Sequence, residues 1–109
     1  IINIKNKTWS RMMINKEHII AIFKKYKKDQ SKRFGITKMG VFGSVARGSV
    51  NENSDIDIVV ELNKRNLLNR ISLKMSLENF LGVPVDVVAY REDLSPLLKE
   101  RIAREVIYV

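Results

Sequence analysis

Apolar positions along the chain switch between two periods. Ile19, Ile22, Phe23 and Tyr26 fall at i, i+3, i+4 and i+7, the spacing of one helix face. They predict a first helix from Asn15, a good N-cap residue, to about Gln30. The chain then turns β-like: one strand is expected over about Thr37 to Phe42 and a second from Asp55 to about Leu62. Helical spacing returns from about Asn66 to Leu81, with Leu67, Ile71, Met75, Leu77 and Leu81 as the expected core line and Gly82 as the stop. A third strand is expected over about Pro84 to Tyr90. Ser95 followed by Pro96 marks the start of a last helix, whose stripe is Leu94, Leu98, Ile102 and Val106. Residues 106–109 read either as the end of that helix or as a short strand.

Composition limits what this pattern can build. A chain of 109 residues with 45% hydrophobic residues makes one small domain with a single core. Residues 14–109 are expected to form it. Residues 1–13 read as an N-terminal extension, because Met12 and Met13 could each be a start. With no cysteine, disulfides, zinc-thiolate sites and thiol nucleophiles are excluded. No apolar run is long enough to span a membrane, and a cytoplasmic location is expected. The net charge of +8 could favour nucleic acid, an acidic protein or a triphosphate. Lys24, Lys25, Lys27 and Lys28 lie opposite the first apolar stripe, which is the pattern of a solvated face. No helix-turn-helix, zinc-finger or RNA-recognition signature accompanies them, which argues against direct nucleic-acid binding. His18, on the same helix, reads as a surface or packing residue rather than a catalytic one.

Two short segments carry candidate chemistry. In the first, Gly43-Ser44-Val45-Ala46-Arg47-Gly48 leaves a strand and enters a short helix. Gly43 allows the bend and close approach of a ligand to the backbone, and Ser44 supplies a hydroxyl. Free N–H groups at a helix start attract anions, and Arg47 could reach a phosphate or brace the loop. In the second, Ser54-Asp55-Ile56-Asp57 places two carboxylates at i and i+2 of a strand, so both project from one face. Side-by-side carboxylates call for a cation, and oxygen donors of this kind suit Mg²⁺. Asp86 stands alone in the apolar run Val83-Pro84-Val85-Asp86-Val87-Val88. If its strand lies beside that of Asp55 and Asp57, three acids can serve two metal ions.

With the residues in this order, the sequence resembles the minimal nucleotidyltransferases of the DNA polymerase β superfamily. Their pattern is G-S-x-A-R-G, then S-D-x-D, then a distal Asp, and residues 14–109 carry all of it. The resemblance implies an α+β fold, a small mixed β-sheet flanked by helices. It implies that Gly43 and Ser44 contact phosphates of ATP and that Asp55, Asp57 and Asp86 are catalytic and ligate two Mg²⁺ ions. Asp86 would act on the metal that activates the acceptor hydroxyl. Small stand-alone relatives resemble the antitoxin half of HEPN/MNT toxin–antitoxin pairs. The implied activity is AMP transfer from ATP to a tyrosine of a HEPN toxin. A binding module that occludes such a partner without chemistry is the alternative. A small-molecule, aminoglycoside-type nucleotidyltransferase is the third reading, disfavoured because one small domain has no acceptor-gripping second domain.

Overall fold

Strand Ile56–Leu62 separates the two faces of the fold. Ile56, Ile58 and Val60 are buried on one side, while Asp57, Val59 and Glu61 alternate onto the other. The structure is a computed structural model describing residues 16–48, 55–64, 66–91 and 94–109. Its elements in chain order are α1 (Lys16–Phe34), β1 (Ile36–Phe42), α2 (Ser44–Arg47), β2 (Ile56–Leu62), α3 (Leu67–Leu81), β3 (Val85–Ala89), α4 (Pro96–Glu105) and β4 (Ile107–Tyr108). The expected Asn15 cap and the extension at 1–13 lie outside the described residues.

The strands form one four-stranded sheet in the order β3-β2-β1-β4. β1 runs antiparallel to both β2 and β4, and β2 runs parallel to β3. A parallel pair needs a crossover, and α3 supplies it. The expected small mixed sheet flanked by helices is therefore what the chain forms.

Each face is closed by its own helices. On the first, Ile19, Phe23 and Tyr26 of α1 and Leu73, Leu77 and Leu81 of α3 join the sheet residues in one buried cluster. Tyr26 donates a hydrogen bond to Ser76 Oγ at 2.8 Å, tying the two helices together. On the second face, Ile102 of α4 packs with Phe42 and Val59, and Leu94, Leu98 and Val106 border them. α4 follows its expected plan: Ser95 Oγ accepts from Leu98 N and Pro96 takes the first position.

Two sequence expectations change. Leu67, Ile71 and Met75 are not core residues: they are 61%, 44% and 58% exposed. α3 carries two apolar lines at helical spacing, and docking on the sheet buries the Leu73, Leu77, Leu81 line instead. α1 extends to Phe34, beyond Gln30, because Phe34 prolongs its buried stripe and Lys32 and Arg33 suit a helix C-terminus. Residues 107–108 form β4, beside Gly40 and Val41. Val109 N donates to Met39 O at 2.9 Å and so prolongs the pairing.

Candidate active site

The site begins where β1 gives way to α2. Gly43 sits at φ +73°, a conformation that side chains disfavour. A Cβ at this position would also run into Oδ2 of Asp57. Glycine is thus required twice, for the backbone and for the space. Arg47 N donates to Gly43 O at 3.0 Å, closing the single turn of α2, and Gly48 ends it in the left-handed region. Ser44 opens the turn and is partly accessible.

Sheet pairing then brings the acids to this turn. Phe42, the last residue of β1, is the register partner of Asp57. Asp57 is in turn the register partner of Asp86 on β3. Partners on adjacent strands share a face, so Asp57 and Asp86 project together. Asp55 lies immediately ahead of β2 and is exposed, as is Asp86, whereas Asp57 is half-buried.

The electrostatics follow from this crowding. Burial raises the Asp57 pKa above its ordinary value; Arg101 pulls it down, Asp86 and Asp55 push it up further, and Arg47 opposes them. Among the described residues no three acidic or histidine side chains already close around one point. Asp57 instead faces a cation of its own chain, with Arg101 Nη2 3.5 Å from Oδ2.

That cation belongs to a network that the sequence did not announce. Arg101 Nε donates to Glu105 Oε1 at 3.3 Å. The same oxygen accepts from the backbone N–H of Gly43 at 3.1 Å, and Glu105 Oε2 accepts from Arg47 Nη1 at 2.9 Å. One carboxylate therefore holds both the turn and its arginine, and Arg47 braces the loop. Burial works to raise the Glu105 pKa, but Arg47, the Gly43 N–H and Arg101 outweigh it and hold the carboxyl below its usual range. The only sequence signal was that Arg101 and Glu105, four apart, flank the Ile102 stripe.

The glycine turn thus lies against Asp57, itself register-paired with Asp86 on a mixed sheet, and the chain belongs to the nucleotidyltransferase family: the model of the nucleotidyltransferase domain matches residues 23–109. More narrowly, it is similar to the minimal nucleotidyltransferases. It is 40% identical over 98 residues to the protein adenylyltransferase MntA of Thermococcus cleftensis, spanning 89% of this chain and 98% of that protein. A solved structure of a minimal nucleotidyltransferase shares 39% identity, with a TM-score of 0.68 over 82% of this chain and 91% of the other. A toxin–antitoxin crystal structure with AMP-PNP shares 28% identity, with a TM-score of 0.60 over 68% of this chain and 60% of the other.

Proposed function

We propose that this protein transfers AMP from ATP to a tyrosine hydroxyl of a HEPN-type partner and acts as the antitoxin to it. The observation that carries the reading is the Asp57–Asp86 register pair standing beside the Gly43 turn. In the reaction, the acceptor oxygen forms a bond to the α-phosphorus of ATP and the bond to the bridging oxygen breaks. Pyrophosphate leaves, and the acceptor proton passes to Asp86 or to solvent.

Each residue contributes by position and charge, which dominate phosphoryl-type transfer. Gly43 and Ser44 would bind phosphate oxygens at the turn, with Arg47 and Glu105 keeping the turn in shape. Asp55, Asp57 and Asp86 would hold Mg²⁺. The donor set fits a hard divalent ion, since these are carboxylates with mutual repulsion and with Gly43 leaving room beside Asp57. Bound there, Mg²⁺ would neutralise charge on the triphosphate and the departing pyrophosphate. Arg101, which faces Asp57 at 3.5 Å, would give way or turn to the phosphates. A cytoplasmic setting supplies the ATP and Mg²⁺ this chemistry needs.

The test is transfer of label from ATP, with Mg²⁺, to a HEPN protein encoded beside this one. Asp57→Asn is expected to lower transfer by about 10²-fold or more, as for loss of a major electrostatic element. Unchanged transfer in that variant would remove Asp57 from the metal site. A tight complex that never acquires label would make the protein a binding module.

A further inference from the structure

α1 and α3 lie on the same face of the sheet, yet they treat their outer surfaces differently. α1 turns Lys24, Lys25 and Lys28 to solvent. The outer side of α3 instead presents Leu67 at 61%, Leu68 at 76%, Ile71 at 44% and Met75 at 58% exposure. Leu67, Ile71 and Met75 repeat every four residues, so they form one continuous ridge, with Leu68 beside it. Single exposed apolar residues are ordinary, but a contiguous row in one helix marks a contact surface.

This ridge leads to Asp86. Between α3 and β3 lie two adjoining clefts that share Arg70, Ala89 and Arg91 as walls. The second, of about 360 Å³, is lined by Ile71 and Lys74 on one side and by Asp86 on the other. β3 is the outermost strand of the sheet and pairs only with β2 among the described residues. An open trench therefore runs from the ridge to Asp86. Its border is basic, through Arg70, Lys74 and Arg91. The single acid within α3, Glu78, is engaged by the N–H of Val85 at 3.0 Å.

We propose that the α3 ridge and its basic border seat the protein that carries the acceptor hydroxyl, which meets them with an apolar patch edged by acidic residues. The proposal rests on the transfer reading above and adds where the partner sits. Asp86 projects with Asp57 onto the face opposite α3, so a hydroxyl reaching it past the free edge of β3 brings its own chain over Lys74, Arg70 and Ile71. A second copy of this chain fits poorly, because a two-fold contact would set the same arginines and lysine against each other. An acidic rim on the partner complements Arg70 and Lys74 and steers its approach.

The experiment uses the full chain and the HEPN protein encoded beside it. Two pairs of exposed substitutions are made on α3, Leu68→Glu with Met75→Glu, and Arg70→Glu with Lys74→Glu. Each pair is expected to weaken the complex at least tenfold by titration calorimetry, and to slow AMP transfer to the protein at sub-saturating partner. Affinity for Mg²⁺–ATP should stay within twofold of wild type. The proposal is overturned if both variants bind and label the partner like wild type; the transfer reading then stands. It is also overturned if wild type forms no complex, or if the first pair abolishes only self-association of this chain. If wild type forms a complex that depends on α3 but transfers no AMP, the seat stands and the transfer reading falls.

Discussion

Asp57 and Glu105 are carboxylates with opposite fates, and the difference can be measured. The Asp57 pKa is raised, first by burial and then by Asp86 and Asp55, from an ordinary value of 3.8. A carboxyl whose folded pKa lies above its unfolded one stabilises the fold only when protonated. That contribution is present below the unfolded value and is lost as pH rises through the folded one. Without metal at pH 7, Asp57→Asn is therefore expected to melt slightly above wild type, and the gap should close in acid. Glu105 behaves inversely. Its folded pKa is lowered from 4.5, so its stabilisation is present at neutral pH and is lost as pH falls through the folded value. Glu105→Ala should lower the melting temperature at pH 7, and the gap should shrink as pH falls below 4.5. It should also raise the KM for ATP by about tenfold, as expected when charge-assisted hydrogen bonds are lost. Glu105→Gln, which keeps an acceptor for Gly43, should fall between. At this scale the Gly43-Ser44 turn and the Asp55-x-Asp57 pair stood out as candidates because each is a local spacing, whereas Asp86 stands far along the chain from both. Arg101 and Glu105 did not stand out, since only tertiary docking of α4 brings them to the turn.

Among the elements, α3 is the most instructive. Both of its apolar lines have helical spacing, so periodicity alone does not say which one meets the sheet. The docked line gives a clear contrast with the free one. Leu77 is fully buried, and Leu77→Ala should cost about 2–5 kcal/mol in urea unfolding. Met75→Ala, on the exposed ridge, should stay within about 0.5 kcal/mol. The ends of the helix were easier to read, because they rest on local chemistry. Asn66 caps it by accepting from Asn69 N at 2.7 Å, and Gly82 stops it at φ +73°. Gly82→Ala should cost about 1–2 kcal/mol, the penalty of a side chain in the left-handed region. β4 could be read as a strand only once Gly40 and Val41 of β1 were in place to receive it.

For the molecule as a whole, the alternation of strands and helices was visible in the sequence, but the side-by-side placement of β2 and β3 was not. Nothing local in Asp86 names Asp57 as its neighbour; the family resemblance carried that expectation and the register bears it out. Ligand linkage offers a global check. Mg²⁺–ATP at 100 times its Kd should stabilise the folded chain by about 2.7 kcal/mol, read as a rise in melting temperature. ATP without Mg²⁺ should give much less.

The parallel pairing of β2 with β3 also bears on how the chain reaches its native state. Those two strands can meet only after α3 has crossed between them, which makes theirs a long-range contact and a slow one to form. Helical circular dichroism should therefore return early on dilution from urea, and nucleotide affinity late. A ribosome-bound chain that has not yet extruded β3 would lack Asp86 and be inert.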